Sequence, residues 1–427
     1  MTGAQNKSTA SKPVRLALIG CGGISGAHIG GFKELVQKGC KDIVYSACCS
    51  GQEQNARRRA RELGAIQGFE PKVFANIQTL IESGVADGAD MCLPHHLHHQ
   101  LGAQVLDGGL HAMIEKPLGI TINASRLIIE AARRNNRILA TAENVRRGLS
   151  ARAWAWAIKE QKLAGDIKEV HIADLSYGEY DYENPIMKWR GLKLLTGGGM
   201  IMDGGAHFAD MQMVLFGEPE EISCRIWTND NRTIPNAPIF GDAKPDVEDA
   251  WHAIIRFKSG TSVAWSYSRS YPGASLRHAC YFGSKGAIQD LGFGFHCFEG
   301  GGNATLKDQS VLTKEEIERE YVCSLDERQK QNLFPFGCTH NFGIEIWDFA
   351  DSIRNSRKPE IDGEDGLRAK ALCEACYESS MLDKPVKYDD VLSGKISGYQ
   401  TPIDEYWKIT PVQNKSVLDK GATCLQR

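Results

Sequence analysis

The segment 196–210 combines residue types that can move a proton. It contains Asp203, His207 and Asp210, which in a helix lie on one face at i, i+4 and i+7. Two adjacent glycines follow Asp203, and each costs about 1 kcal/mol in a helix interior, which suggests that another molecule approaches the backbone closely. The segment therefore predicts an imidazole base beside a carboxylate. A helix N-terminus capped by Asp203, with His207 in the core, explains the same pattern, and Asp210 is taken as structural.

A lysine supplies a second candidate group. Lys116 lies in Glu115-Lys116-Pro117, directly after the apolar run 111–114. This run is predicted to be the fifth strand of a parallel sheet, and such sheets bind ligands beyond the carboxyl ends of their strands. A lysine there can donate to a substrate hydroxyl and stabilise a developing alkoxide. The alternative is a surface lysine paired with Glu115.

Strand and helix patterns alternate over the first third of the chain and predict a doubly wound parallel sheet. After about residue 150 long strand patterns dominate and predict a mostly antiparallel open sheet; they cover 167–176, 221–228, 249–257, 262–268 and 277–283. Helices are predicted at 344–355 and 365–382. The predicted organisation is a disordered tail (1–13), a doubly wound α/β domain (14–145), an α+β domain (146–399) and a C-terminal extension (400–427).

A glycine-rich turn follows the first predicted strand. It reads Gly20-Cys21-Gly22-Gly23-Ile24-Ser25-Gly26 and opens a helix pattern. Gly20 allows a tight turn, Gly22 lets the backbone approach a pyrophosphate, and the helix N-terminus attracts its charge. The chain is therefore predicted to bind a dinucleotide.

The end of the second predicted strand bears on the choice between NAD and NADP. An acidic residue there would bind the ribose hydroxyls of NAD, but this chain has Ser50, followed by Arg57, Arg58 and Arg59. A hydroxyl and guanidinium groups suit a 2′-phosphate, so the sequence favours NADP over NAD. The alternative is a solvated basic helix face.

Four histidines, at positions 95, 96, 98 and 99, follow the fourth predicted strand. Their spacing does not match a usual metal-ligand set, so we predict a loop at the nucleotide crevice and no metal. The 13 cysteines are expected to be reduced, buried, small apolar residues. Only Cys373 and Cys376 form a C-x-x-C pair, and no second pair accompanies it.

Composition excludes several classes of protein. The net charge is −3, so no global field attracts nucleic acid or a membrane surface. No apolar run reaches the roughly 18 residues of a membrane span. We expect a cytoplasmic protein with neither nucleic-acid nor membrane partners.

The ordered motifs resemble those of the glucose–fructose oxidoreductase, inositol dehydrogenase and MocA (Gfo/Idh/MocA) superfamily, from about Val14 to Tyr388. The matching motifs are Gly20-Cys21-Gly22-Gly23-Ile24, Pro94-His95-His96-Leu97-His98, Glu115-Lys116-Pro117, Trp189-Arg190, 197–199, Asp203-x-Gly205-x-His207, 247–249, 282–286 and 349–355. The resemblance implies a Rossmann domain, an open-sheet domain that often forms homodimers or homotetramers, a nicotinamide cofactor, and sugar or cyclitol substrates.

The resemblance also implies site residues. Lys116, Asp203 and His207 would be catalytic, with His207 taking the proton of a ring hydroxyl and Asp203 orienting the imidazole. The same three residues, with Tyr180, Trp189 and Arg190, would bind substrate. Tyr180 lies in a stretch of tyrosines and acids that suits a carbohydrate but also fits an ordinary loop. The expected cofactor-binding residues are Gly20, Gly22, Gly23, Ile24, Ser50, Arg57, Pro94, His95, His98, Glu115, Lys116 and Asn144.

The expected activity is an NAD(P)-dependent dehydrogenase that acts on a CH–OH group of a sugar, glycoside or cyclitol. Two alternatives remain at this stage. One is an enzyme that cleaves glycosides through transient oxidation and recycles its cofactor. The other is a non-catalytic NAD(P)-binding regulator, for which Lys116, Asp203 and His207 would have no use.

Overall fold

The computed structural model describes residues 12–292 and 294–411. Most of the predicted N-terminal tail and the last part of the predicted extension, 412–427, therefore lie outside the described residues. The described chain forms a six-stranded sheet, a nine-stranded sheet and a separate two-stranded ribbon.

The six-stranded sheet is parallel throughout, in the order β3-β2-β1-β4-β5-β6. Its strands are β1 Val14–Ile19, β2 Ile43–Cys49, β3 Lys72–Phe74, β4 Gly88–Met91, β5 His111–Glu115 and β6 Leu139–Ala142. The helices between them are α1 Ser25–Gln37, α2 Glu53–Gln67, α3 Ile77–Glu82, α4 His98–Asp107 and α5 Ile122–Arg134. This order is that of a dinucleotide-binding Rossmann sheet and confirms the predicted fold class.

The nine-stranded sheet has the order β16-β15-β14-β13-β7-β12-β11-β8-β17. Its neighbours are antiparallel except β7 and β12, which are parallel, so the predicted mostly antiparallel sheet is confirmed. Its strands are β7 Ile167–Leu175, β8 Pro219–Trp227, β11 Ala250–Phe257, β12 Ser262–Ser268, β13 Leu276–Gly283, β14 Gly286–Asp290, β15 Gly302–Leu306, β16 Val311–Leu312 and β17 Val386–Lys387, while β9 Ile234–Ala237 and β10 Gly241–Ala243 form the ribbon.

The remaining helices lie around this second sheet and between the two sheets. They are α6 Leu149–Lys159, α7 Pro185–Arg190, α8 Lys193–Thr196, α9 Gly205–Phe216, α10 Lys314–Ser324, α11 Glu327–Leu333, α12 Asn341–Asn355, α13 Gly363–Leu382, α14 Tyr388–Ser393 and α15 Thr401–Trp407. Short 3₁₀ turns occur at His95–Leu97, Val145–Arg147 and Pro335–Gly337. Among the described helices none is long and apolar enough to span a membrane.

Alternating side chains give the nine-stranded sheet a buried face and an open face. Trp251 and Trp265 point inward, where Trp265 stacks on Phe208 of α9 with ring centroids 4.0 Å apart. The outer face exposes large apolar side chains, including those of Trp227, Ile254, Leu276 and Phe282. The buried face therefore fixes α9, which carries His207, against the sheet.

Helix α12 packs on the Rossmann sheet although it lies about 200 residues further along the chain. Phe349 is fully buried in the core that surrounds β1. Where α12 crosses α1, a Cβ built on Gly31 would lie 2.3 Å from the backbone nitrogen of Gly343. The close approach of the two helices therefore requires glycine at this crossing.

The start of the predicted C-terminal extension is folded against the two domains. Asp404 accepts hydrogen bonds from Thr121 Oγ1 at 2.5 Å and Asn123 Nδ2 at 2.7 Å, at the N-terminus of α5. Trp407 Nε1 donates to the carbonyl oxygen of Leu194 in α8 at 2.6 Å, and its ring stacks on His96. The extension therefore joins the loop beyond Lys116 to the segment that precedes Asp203.

We expect Gly31→Ala to lower the free energy of unfolding by about 1–3 kcal/mol, because an added Cβ overpacks the crossing of α1 and α12. Gly30→Ala on the same helix is the matched control, since its Cβ would meet only His340 Nε2, at 3.4 Å. That substitution is neutral or stabilising because alanine favours helix more than glycine does. Urea unfolding of the two variants measures the difference; equal stabilities contradict the close crossing.

Candidate active site

The glycine-rich turn lines a cleft of about 700 Å³ at the carboxyl edge of the Rossmann sheet. Gly20 has a φ of +86°, and a Cβ there would lie 2.2 Å from the carbonyl oxygen of Cys92. A Cβ on Gly22 would meet no protein atom within 4 Å, so this backbone faces open space beside the N-terminus of α1. These features fit the close approach of a dinucleotide pyrophosphate to peptide N–H groups.

The expected cofactor residues divide into two groups. Gly20, Gly22, Ser50 and Pro94 line the cleft, Gly23 and the exposed Ile24 continue the turn, and Asn144 follows β6 at the same sheet edge. In contrast, Arg57, His95, His98, Glu115 and Lys116 neither line the cleft nor belong to the glycine-rich turn. His98 is fully buried, with ring nitrogens 3.0 and 2.9 Å from the carbonyl oxygens of Pro117 and Leu93.

The three consecutive arginines of α2, at positions 57–59, are each held by protein groups. Arg57 is exposed and donates to Glu53 one turn earlier. Arg58 pairs with Glu62 and donates to the carbonyl oxygen of Cys21 at 3.3 Å, while Arg59 donates to the carbonyl oxygen of Gly22 at 2.9 Å. Arg58 and Arg59 therefore stabilise the glycine-rich turn through its carbonyl oxygens, and Arg57 lies away from the cleft.

Glu115 points into the protein, where it meets a buried histidine. Its Oε1 lies 2.9 Å from Nε2 of His28, and Asp90 lies 3.0 Å from the other ring nitrogen. Burial opposes the charged imidazole, yet the Asp90 charge holds the pKa of His28 well above its ordinary value. Burial raises the pKa of the neighbouring Glu345 well above its ordinary value. Together with Cys92, His28 and Asp90 form a group close enough to hold a metal ion, but both ring nitrogens already face carboxylates.

Lys116 and Arg190 converge on the carboxylate of Asp203. Lys116 Nζ donates to Asp203 Oδ1 at 2.7 Å and to its carbonyl oxygen at 2.9 Å, and Arg190 Nε donates to Oδ2 at 2.8 Å. Burial opposes charge on Asp203, but the two cations hold its pKa well below the ordinary value. Burial also disfavours the lysine cation, but the carboxylate raises the pKa of Lys116. Lys116 is therefore a charged donor, with one of its three N–H groups left for another acceptor.

The expected pairing of Asp203 with His207 is not formed. Asp203 lies in the turn before α9, which begins at Gly205, so the two side chains do not share a helix face. Instead, Nδ1 of His207 lies 2.7 Å from both carboxylate oxygens of Glu143, which follows β6. Burial would raise the pKa of Glu143, but the His207 charge lowers it. The ionised carboxylate makes Nδ1 the donor, so in the neutral imidazole Nε2 is the acceptor.

The sequence analysis does not identify Glu143, although it identifies the neighbouring Asn144 as an expected cofactor-binding residue. Glu143 is 64 residues from His207 along the chain, and no local spacing relates the two. The one available signal was an acidic residue directly after a strand of the parallel sheet, at the edge where ligands bind.

His95 and Trp189 form one wall beside Asp203. Nε2 of His95 lies 3.9 Å from Asp203 Oδ1, and its ring meets that of Trp189 edge-on at 5.1 Å. Burial lowers the pKa of His95 well below its ordinary value. The guanidinium of Arg190 lies over the Trp189 ring, 4.6 Å from its centroid. Because its pKa is lowered, His95 is a neutral group beside Asp203.

Aromatic and polar groups line a narrow cleft beside this cluster. Tyr180, Tyr182, Met187 and Arg190 contribute to it together with Asp203. A cleft with aromatic faces and a few charged groups is typical of a site for a small polar molecule that also carries C–H surface. The structure therefore brings together Lys116, Asp203, Arg190 and Tyr180, all predicted to bind substrate.

Sheet order, glycine-rich turn and charged cluster define an oxidoreductase class with a dinucleotide-binding domain. Residues 14–143 match the oxidoreductase family, NAD-binding Rossmann fold, and residues 159–388 match the oxidoreductase family, C-terminal alpha/beta domain. The chain belongs to the Gfo/Idh/MocA oxidoreductase family, and its cofactor is a nicotinamide dinucleotide.

Relatives are similar at low identity. A 1,5-anhydro-D-fructose reductase of Ensifer adhaerens is 24% identical over 74% of this chain and 85% of its own. A D-glucoside 3-dehydrogenase of Escherichia coli is 24% identical over 64% of this chain and 76% of its own. The solved structure of a levoglucosan dehydrogenase with NADH and levoglucosan matches with a TM-score of 0.69 and 21% identity, over 88% of this chain and 99% of that one.

Asp210 predicts a pH dependence of stability. Burial raises the pKa of its carboxyl to about 7, whereas an unfolded aspartate titrates near about 3.9. Because the folded state keeps a proton that the unfolded chain loses, this stabilisation is complete below about pH 4 and lost as the pH rises through about 7.

Relative to Asp210→Asn, the wild-type protein should therefore lose unfolding free energy as the pH rises from 4 to 8, although Arg146, 3.3 Å from the carboxylate, opposes this effect. Denaturant unfolding at several pH values measures this difference. Parallel pH profiles of the two proteins would contradict a neutral Asp210.

Proposed function

We propose that this protein oxidises a ring hydroxyl of a sugar, glycoside or cyclitol, or reduces the corresponding ketone, with a nicotinamide cofactor. The observation that carries the proposal is a charged lysine and a carboxylate-held imidazole that meet beyond the carboxyl ends of β5 and β6. Lys116 is a charged donor held by Asp203, and His207 is an imidazole whose Nδ1 is held by Glu143. Lys116 and Glu143 line one small shared cavity.

The residues divide the chemistry between them. The bound nicotinamide supplies the hydride acceptor or donor. Nε2 of His207 takes the hydroxyl proton as general base, and Glu143 stabilises the imidazolium that results. The free N–H of Lys116 donates to the same substrate oxygen and stabilises negative charge that develops on it. Asp203 is a positioning residue for Lys116 and Arg190, rather than for His207 as the sequence suggested.

A carbohydrate substrate is supported by two observations. Relatives of this chain are named for anhydrofructose, glucoside and levoglucosan substrates. The narrow cleft combines tyrosine rings with charged side chains, and sugars present both C–H faces and hydroxyl groups to such surfaces. Arg190 lines this cleft and binds Asp203, and Trp189 lies next to it and contacts His95.

We further propose that NAD(H) is preferred to NADP(H), contrary to the preference inferred from the sequence. The described residues that line the cofactor cleft include neither lysine nor arginine, and the groups beyond β2 are Ser50, Gln52 and Asn55. Arg58 donates to the carbonyl oxygen of the lining residue Cys21 but is paired with Glu62, so a 2′-phosphate would lose hydration there without gaining an unpaired cation. Arg57, the expected phosphate ligand, is held by Glu53.

A homodimer or homotetramer remains our expectation for the assembly. The open face of the nine-stranded sheet exposes Trp227, Ile254, Leu276 and Phe282. A sheet face that exposes several large apolar side chains is typical of an interface, and this face is where copies of the chain would meet.

His207→Ala should lower kcat by about 10²–10⁴-fold and leave the Kd of the cofactor unchanged, because it removes only the general base. Glu143→Gln should lower kcat at least about tenfold, because the neutral amide no longer stabilises the imidazolium. Lys116→Ala should also lower kcat, whereas the exposed Lys33→Ala is the matched control. Full activity of His207→Ala would contradict the assignment.

The assay follows nicotinamide absorbance over a panel of sugars, glycosides and inositols with NAD+ and with NADP+. Net reduction of the cofactor supports a dehydrogenase. Loss of glycoside without net reduction supports the glycoside-cleaving alternative, and no turnover of any panel member, with cofactor bound, supports a regulator.

Calorimetric titration should give a Kd for NAD+ at least about tenfold below that for NADP+. Arg57→Ala should change neither value, because this side chain lies away from the cleft. Tighter binding of NADP+, weakened by Arg57→Ala, is the result that would restore the sequence-based preference.

A further inference from the structure

A second cavity shares Tyr180 with the narrow cleft beside Asp203. It has a volume of about 170 Å³, whereas one water occupies about 30 Å³ in the liquid, so it has room for one pyranose ring. Its polar and aromatic lining includes Tyr177, Glu179, Tyr180, Asn231, Arg232 and Arg269. None of these residues except Tyr180 belongs to the catalytic site described above.

The charged side chains that line this cavity bind other protein groups, and the exception is Arg269. Arg232 donates to Asp230 through Nε and one terminal nitrogen, and to Glu179 through the other, at 3.0 Å. Glu179 also accepts from the hydroxyl of Tyr177 at 2.8 Å. Arg269 forms no ion pair within the described part of the chain, and its guanidinium lies over the ring of Tyr180 at 4.9 Å.

An arginine stacked on an aromatic ring presents its N–H groups at the edge of the guanidinium plane. In this position Arg269 can donate to two neighbouring oxygens of a ligand. Asn231 is exposed on the same cavity wall, and no other residue in the described segments hydrogen-bonds its side-chain amide. The ring of Tyr177 is half exposed and offers an apolar face. Paired donors, an amide and an aromatic face together suit a neutral sugar ring.

Tyr180 relates this cavity to the catalytic cleft because it lines both. In the cleft it accompanies Arg190 and Asp203, and in the cavity it carries Arg269. A ligand that binds in the cavity and reaches the Asp203 cluster would therefore pass Tyr180, with one unit on each side. Two rings joined by a glycosidic bond have this shape.

We propose that the cavity is a second sugar subsite, which binds the non-reacting ring of a glycoside while the reacting ring lies beside Lys116 and His207. This inference rests on the proposed function and narrows its substrate class to glycosides with at least two rings. Arg269 and Asn231 bind hydroxyl groups of the second ring, and Tyr177 covers one of its C–H faces.

The test compares one-ring and two-ring substrates of the same configuration. Methyl α-D-glucopyranoside is paired with maltose, and methyl β-D-glucopyranoside with cellobiose, each assayed with NAD+. In at least one pair the disaccharide should have the lower KM, and Arg269→Ala should raise that KM about tenfold. Asn231→Ala, on another part of the wall, should raise it in the same direction. Neither variant should change the KM of the methyl glycoside by more than about twofold, and the exposed Arg328→Ala is the matched control.

Two kinetic results would overturn the subsite. One is a wild-type protein that shows no lower KM for either disaccharide. The other is an Arg269→Ala variant that raises the KM of methyl glycoside and disaccharide equally, since this places its effect on the reacting ring through Tyr180.

A binding measurement separates failure of the subsite from failure of the proposed function. If the wild-type protein oxidises no sugar in the panel, saturation-transfer NMR of the NAD+-loaded protein with maltose and cellobiose still reports contact. Saturation of both rings that is lost from one ring in Arg269→Ala supports the subsite without the activity. Absence of saturation in wild type overturns it.

Discussion

The carboxylate of Asp203 is the interaction on which the geometry of the site depends. It lies in the turn before α9 and binds Lys116 from the end of β5 and Arg190 from the end of α7. Three separate chain segments are thereby fixed at one point. Because a carboxylate between two cations stays ionised, Lys116 stays protonated. Lys116 and His207 are therefore held by different carboxylates, Asp203 and Glu143.

A second group of buried charges holds the same lysine from behind. Glu115 accepts from the backbone N–H of Lys116 and contacts His28, whose other ring nitrogen faces Asp90. Tyr45 donates to Asp90 at 2.6 Å. Ionised groups are costly to bury unless they are paired and hydrogen-bonded. The imidazolium between two carboxylates meets this condition and anchors the strand end that presents Lys116.

The sequence predicts those features that depend on local pattern. The strand and helix alternation of the Rossmann domain and the glycines at positions 20 and 22 were readable because each meaning is contained within a few residues. The pairing of His207 with Glu143 was not, because it joins β6 to α9 across the domain boundary. The sequence also does not show that Arg57 binds Glu53, one turn earlier in the helix, instead of reaching the cofactor cleft. Short strands such as β16 and β17 carry too few residues to show a period.

Asp203 is neither the partner of His207 on one helix face nor the N-cap of that helix, the two interpretations that its sequence position suggested. The i, i+4 spacing of Asp203 and His207 assumed a continuous helix, but α9 starts after the glycine pair. The glycines instead permit close packing, since a Cβ on Gly204 or Gly205 would lie 2.7 Å from Phe295 or 2.8 Å from Trp265. Asp203 therefore lies outside the helix, and its carboxylate binds Lys116 and Arg190.

The packing of α12 on α1 has a consequence for how the chain is made. The helix whose N-terminus would face the cofactor phosphates is covered by residues synthesised about 300 positions later. While a ribosome is still translating the second sheet, the apolar surface around Phe32 and Leu35 lacks Phe349 and its neighbours. The nucleotide-binding half therefore cannot complete its core as it emerges. This surface stays exposed until α12 has left the exit tunnel, and a fragment cut after β6 would keep it exposed permanently.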